Sequence, residues 1–326
     1  MKLVDIYSVV SKELILVDAK IKEAIPRKDD AFRDACMQIL NGSSKRIRAA
    51  LVLLCSKMLK YRRDASLKLA TAIELFHTAT LVHDDIIDSS AMRRGRKTIN
   101  RKYGLNSAIL VADYLYLNGA LHLNGVFDGN LHLNDQLTKI MISTAQKMFS
   151  GELDQLMNNS VYISRKEYFR IISQKTASFF SACCSMPALL SNANSLQGSA
   201  LFMYGRNLGI AFQITDDVLD IIGDEKKFGK KRGSDIKQGF LTLPLVHFYE
   251  KASCAEKKTL LDVLTRKRQN LKEIVKLLAR YRSIEYAQDR AKSYSKKAKK
   301  SIGIFPDSAA KNSLIRLCDF VVARDH

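Results

Sequence analysis

"LVHDDIIDSS" (residues 81–90) closes the apolar run "LKLATAIELFHTAT" (67–80) with Asp84, Asp85 and Asp88. On a helix Asp84 and Asp88 stack on one face, and Asp85 lies about 100° round from Asp84. Like charges at that spacing repel, so either something positive offsets them or they stand in open solvent. The run before them is apolar on nearly every face and holds neither Gly nor Pro, which is the pattern of a buried central helix.

The same spacing returns in "FQITDDVLDI" (212–221), as Asp216, Asp217 and Asp220, again at the end of a long apolar stretch. A lone acidic cluster is most often a solvated helix end. Two copies on separate apolar helices are harder to explain that way. If the helices face one another, the carboxylates line a cavity mouth that suits a hard divalent cation. Mg²⁺ in particular binds through one or two carboxylates, with phosphate oxygens completing its shell. Oxygen-only donors argue against zinc or copper.

Basic residues gather near these motifs. "AMRRGRKTINRKYG" (91–104) follows the first with Arg93, Arg94, Arg96 and Lys97, and "NGSSKRIRAAL" (41–51) places Lys45, Arg46 and Arg48 at a helix start. Backbone N–H groups at such a start also favour anions. "QKTASFF" (174–180) adds Lys175 and Thr176, and His77 lies seven residues before Asp84, on its face. Arginine forks grip phosphate in pairs of hydrogen bonds. Singly, each is an ordinary surface charge, and His77 an ordinary core histidine; together they describe a cavity for two phosphorylated substrates.

The whole chain fits that picture. Its 326 residues are 47% hydrophobic with 4 Pro and 15 Gly, and 53 Lys+Arg against 33 Asp+Glu give a net charge of +20. On charge alone, nucleic acid, a membrane surface and small phosphorylated substrates all stay open as partners. The six cysteines show no Cys-x-x-Cys or disulfide-framework spacing, and no apolar run reaches the length of a membrane span. A reduced, cytoplasmic protein is expected. Helical periodicity predicts helices near 3–25, 31–41, 46–60, 67–88, 106–127, 132–158, 165–193, 197–222, 240–251, 255–281, 284–301 and 307–324, with no useful strand. Short linkers predict one all-α domain over 1–326, a large helical bundle around a central cavity.

The chain resembles the trans-isoprenyl diphosphate synthases, the polyprenyl synthetase family, over nearly its whole length. The resemblance is carried by "SSKRIRAAL", "FHTATLVHDDIIDSSAMRRGRKT", "ILVADYLY", "GELDQL", "KTASFF", "GIAFQITDDVLDI" and "GSDIKQGFLTLPL". It implies the isoprenoid synthase fold, a homodimer, and head-to-tail condensation of isopentenyl diphosphate with an allylic diphosphate such as farnesyl diphosphate. It also implies about three Mg²⁺ ions per active site. By the same resemblance Asp84, Asp88 and Asp216 ligate metal, with Asp85, Asp217 and Asp220 beside them. Lys45, Arg48, His77 and Arg94 match the isopentenyl diphosphate pocket. Arg93, Lys175, Thr176 and Gln213 match the allylic pocket, and Lys230 matches a lysine that joins the allylic phosphates on loop closure.

The chain departs from the family at Ser43-Ser44, where Gly-Gly is usual, at Ala49, where proline is usual, and at Gly239-Phe240, where short-chain members often have Gly-Lys. Thr80 and Ala79 are small at positions where short-chain enzymes place aromatic rings. Phe76 comes next on that face, about 12 Å below Asp84. A ring there stops a short product, rotates aside for a long one, or is ordinary core. The wider resemblance favours a long product such as a quinone side chain, with a geranylgeranyl-type synthase or a non-catalytic subunit as alternatives. "RAKSYSKKAKK" (290–300) offers a peripheral contact to an anionic membrane but lacks the interleaved aromatics of a nucleic-acid module, so no nucleic-acid partner is expected.

Overall fold

The structure, a computed structural model, describes residues 2–25, 31–40, 45–61, 63–93, 95–127, 129–157, 163–223, 232–265 and 271–324. Ser43, Ser44, Arg94 and Lys230 lie outside the described residues. The protein is all-α, and its only described strands are the two-residue pair Met92–Arg93 and Arg96–Lys97. Two compact units divide it: Met1–Ser143 with Ala182–Phe202 and Ile302–Leu317, and Thr144–Ser181 with Met203–Ser301 and Cys318–His326. Among the described residues no helix is long and apolar enough to cross a membrane, and no disulfide joins the six cysteines.

The first unit is organised by the helix Arg63–Ile87, which packs along Leu105–Asn124 and Ile47–Met58. Leu69, Ala72, Ile73, Leu75, Ala79 and Val82 are all buried, so the helix is enclosed on several sides, as an all-round apolar pattern requires. It ends when Ser89 turns left-handed at φ 49°. The Ser89 N–H then bonds the Ile86 carbonyl at 3.1 Å and the Ser90 N–H bonds that of Asp85 at 2.9 Å, the paired closure of a Schellman turn. The chain then reverses through the small hairpin of Met92–Arg93 and Arg96–Lys97, whose strands are too short to leave an alternating pattern in the sequence.

Glu74 fixes the start of the Ile47–Met58 helix. Its fully buried carboxylate accepts from the Ala49 N–H at 3.0 Å and from Arg46 Nη1 at 3.1 Å. Arg46, left-handed at φ 46°, also pairs with Asp18 through Nε at 2.8 Å. The donor at this helix start is thus occupied by a carboxylate of the protein, and Arg46 turns inward, whereas the sequence placed both with phosphate.

In the second unit the stretch expected as one helix over 165–193 is Arg165–Ile172, a π-helical turn Ser173–Ala177, and Ser178–Leu190. Such turns insert an extra residue and re-aim side chains, and this one contains Lys175 and Thr176. The helix expected over 240–251 begins at Leu243, because Thr242 is extended at its N-cap and Pro244 follows in the first turn. Within the span expected over 255–281 the described helices are Cys254–Thr265 and Leu271–Arg280, and 266–270 lie outside the described residues. A core of Ile171, Ile172, Ile210, Ile214, Val218, Leu243 and Val246 is completed by Ala287 and Ala291 of the helix Ser283–Ser301.

Glu74→Ala removes the acceptor from two donors, the buried Ala49 N–H and the partly buried, charged Arg46 guanidinium. Losing one partner of a buried ion pair costs about 3 kcal/mol or more. The loss should appear as a lower urea midpoint for Glu74→Ala, with Glu74→Gln intermediate.

Candidate active site

The helix Arg63–Ile87 and the hairpin after it divide the first acidic triplet. Asp85 is buried, and Arg93 Nε donates to both its carboxylate oxygens, at 2.9 and 2.8 Å. Asn100 holds the backbone of the same turn, donating to the Asp85 and Ser90 carbonyls at 3.2 and 3.3 Å, and Thr98 Oγ1 donates to the Ser90 carbonyl at 2.6 Å. Arg93, matched by resemblance to allylic phosphate, gives its Nε–H to Asp85 in this structure. Asp84 and Asp88 are partly exposed, one helical turn apart, and joined by the Asp88 N–H to Asp84 carbonyl bond of 2.8 Å.

Arg48 and His77 come together in the same unit, Arg48 Nη1 lying 2.8 Å from His77 Nε2. Lys45 is partly buried at the start of the same turn. Thr80 Oγ1 donates to the His77 carbonyl at 2.8 Å. Below them Ala79 is fully buried, and Phe76 meets Tyr116 edge-on with ring centroids 5.6 Å apart. Tyr116 in turn lies 5.5 Å from the His83 ring; burial, aided by Asp84 and Asp113, raises its hydroxyl pKa.

The second triplet is divided in the same way. The sequence "GRNLG" (205–209) lets the helix Ser195–Ile222 approach its neighbour. A Cβ at Gly205 would lie 2.4 Å from the Phe180 carbonyl oxygen, and one at Gly209 would lie 2.7 Å from the Ala177 Cα. Gln213 and Asp217 follow on the same face at intervals of four. The close approach brings Thr176 Oγ1 to 2.6 Å from Gln213 Oε1, and Gln213 Nε2 donates to Asp217 at 2.9 Å. Tyr168 donates to the other Asp217 oxygen at 2.6 Å.

Burial raises the Asp217 carboxyl to about 7, with Asp216 and Asp220 adding to the shift and the bonds from Tyr168 and Gln213 opposing it. Asp220 is also buried and accepts from the Ser234 N–H and Oγ and from the Asp235 N–H, at 3.1, 2.8 and 3.2 Å. That contact explains "GSD" (233–235): it anchors the turn after the helix. Asp216 is partly exposed and paired at 2.6 Å with Arg324, which also donates to the Phe212 carbonyl at 2.9 Å and lies 4.0 Å over the Phe212 ring. Lys175 is held by Glu152 at 2.6 Å and Gln155 at 3.1 Å, the contacts that "GELDQL" supplies. The Phe240 ring lies beneath Lys175, whose Nζ is 5.9 Å from its centroid.

Glu74, Tyr168 and Arg324 had no signal in the sequence, because each acts through a partner far along the chain. Glu152 and Gln155 lay in a quoted motif without an assigned role.

The two aspartate triplets end separate helices, each with an arginine and a side-chain amide as partners. Comparison with known proteins defines the class. Residues 29–281 match the Polyprenyl synthetase family model. The octaprenyl diphosphate synthase of Haemophilus influenzae is 34% identical over 88% of this chain and 87% of its own length. The geranylgeranyl diphosphate synthase of Saccharolobus solfataricus is 33% identical over 94% of this chain and 95% of its own. The crystal structure of a polyprenyl synthase from Caulobacter crescentus, complexed with calcium and isoprenyl diphosphate, superposes with a TM-score of 0.92 at 27% identity, over 100% of this chain and 98% of that one. The chain belongs to the polyprenyl synthetase family and is a prenyltransferase.

The folded Asp217 pKa, about 7, exceeds the ordinary 3.8. The folded state therefore binds the proton more tightly, and this contribution to stability is complete below 3.8 and lost as pH rises through about 7. In metal-free protein the urea midpoint should fall across that window, and Asp217→Asn should flatten the fall.

Proposed function

We propose that this prenyltransferase condenses isopentenyl diphosphate head-to-tail with an allylic diphosphate such as farnesyl diphosphate, giving a long trans-polyprenyl diphosphate of the quinone-side-chain class. The observation that carries the reading is the division of each triplet. Asp85 and Asp217, the middle residues, are buried and held by Arg93 and by Tyr168 with Gln213, while Asp84, Asp88 and Asp216 keep exposed surface.

The donor set fits Mg²⁺. Asp84 and Asp88 offer only oxygen donors, one helical turn apart and partly exposed. Mg²⁺ binds in this manner, leaving positions for diphosphate oxygens and water. The calcium in the Caulobacter complex supports a divalent ion. We assign Asp84, Asp88 and Asp216 as ligands for about three ions, which when bound neutralise the departing diphosphate.

The chain's own groups do the rest. Lys45, Arg48 and His77, with Arg94, grip isopentenyl diphosphate. Lys175 and Thr176 steady the allylic diphosphate, and Lys230 joins them. Fixed cations beside the breaking carbon–oxygen bond stabilise charge where it develops. Gln213 and Thr176 present oxygens that stabilise the allylic cation without attacking it, and apolar walls exclude the water that would trap it. The released diphosphate takes the proton.

The two units act as one polyprenyl synthetase domain over 1–326, a reading supported by the family match, which runs through both. Leu110, Leu117 and Leu121, 61–68% exposed along Leu105–Asn124, support a homodimer. Exposed Lys292, Lys296 and Lys300 suit peripheral contact with an anionic membrane. A cytoplasmic site of action agrees with six cysteine thiols.

Purified protein given Mg²⁺, labelled isopentenyl diphosphate and farnesyl diphosphate should yield labelled long prenyl alcohols after dephosphorylation. Absence of label in any prenyl product overturns the reading. Asp84→Ala should lower kcat by roughly 10²–10³-fold, the scale for losing one stabiliser of developing charge, with an unchanged circular dichroism spectrum.

A further inference from the structure

Gly119 lies buried inside the helix Leu105–Asn124, with no left-handed backbone to require glycine. Glycine in a helix interior costs about 1 kcal/mol relative to alanine, so a close approach must account for it. That approach is the Phe76 ring. A Cβ at Gly119 would lie 2.9 Å from Phe76 Cδ2, 3.0 Å from Cε2 and 3.3 Å from the Ala72 carbonyl oxygen. The ring edge fills the space a methyl group would need. Tyr116, three residues earlier on the same helix, meets the ring edge-on at 66°. Phe76 is thus seated in a slot whose back is bare helix and whose side is a second ring.

We propose that Gly119 is a specificity-determining residue: the slot it leaves takes the Phe76 ring out of the path of the growing prenyl chain and so permits a long product. The proposal rests on the synthase reading above, in which the chain grows along the face that runs from Asp84 past Thr80 and Ala79 to Phe76. With a methyl group in the slot, the far edge of the Phe76 side chain is what must move. Gly119 touches no substrate; it acts by positioning Phe76.

The test sizes the dephosphorylated products of wild type, Gly119→Ala, Phe76→Ala and the double variant, each given Mg²⁺, labelled isopentenyl diphosphate and farnesyl diphosphate. Gly119→Ala should shorten the product by one or more isoprene units. The double variant should make a product as long as that of Phe76→Ala, because without the ring the slot has no occupant. An unchanged product in Gly119→Ala overturns the proposal, as does shortening that persists in the double variant. Should Gly119→Ala alone be insoluble, the double variant decides: soluble protein with the Phe76→Ala product supports the slot, and insoluble protein or a shorter product refutes it. A wild-type protein that incorporates no isopentenyl unit overturns the synthase reading itself, an outcome distinct from active variants of unaltered product length.

Discussion

The grip of the Arg93 Nε–H on both oxygens of Asp85 makes an acidic triplet at the end of a buried helix tolerable. An isolated carboxylate out of water costs several kcal/mol, so it must be paired or protonated. The structure uses both solutions. Asp85 has a guanidinium, while Asp217 has a phenol, an amide and a pKa pushed up to about 7. Asp220 has hydrogen-bond donors of the 234–235 turn, and Glu74 has Arg46 and a helix-start N–H. Much of the irregular structure exists to deliver these partners: the hairpin brings Arg93, the 234–235 turn anchors on Asp220, and the end of the chain brings Arg324 to Asp216. The buried middle carboxylates of both triplets are therefore answered within the protein, while Asp84 and Asp88 keep exposed surface.

The close approach of two backbones in the second unit has comparable reach. Gly205 and Gly209 admit no side chain, so the helix Ser195–Ile222 lies against the Ser173–Leu190 stretch at a distance only glycine allows. Thr176 Oγ1 and Gln213 Oε1 are 2.6 Å apart as a result. The π-helical turn contributes on the opposite side by changing the phase at which Lys175 and Thr176 leave their helix.

Periodicity carried the helices well, because the apolar faces are long and turn residues are few. The aspartate spacing carried the acidic sites, because four residues on a helix is a geometric statement that needs no partner. What periodicity could not carry was pairing across the chain. Tyr168 sits 49 residues from Asp217 and Arg324 sits 108 from Asp216, and neither separation leaves a mark in local sequence. Arg46 shows the converse: grouped in sequence with basic residues at a helix start, it is held by a buried glutamate on another helix. The break at Thr242 and Pro244 was legible in principle, since an extended N-cap before proline is a start signal.

Phe76 was ambiguous for a physical reason that bears on how such a protein can count isoprene units. Each unit adds five carbons, and burying them stabilises the extended product by about 4 kcal/mol at roughly 0.8 kcal/mol per carbon. Turning a side chain off its preferred rotamer costs about 1 kcal/mol. A ring seated in the space beside a glycine leaves an advancing chain its path, and a ring kept out of that space by a methyl group stands in it. Whether phenylalanine is a floor or an open door is decided by what stands behind it. Here that is Gly119 on the neighbouring helix, which no reading of the Arg63–Ile87 helix by itself could reveal.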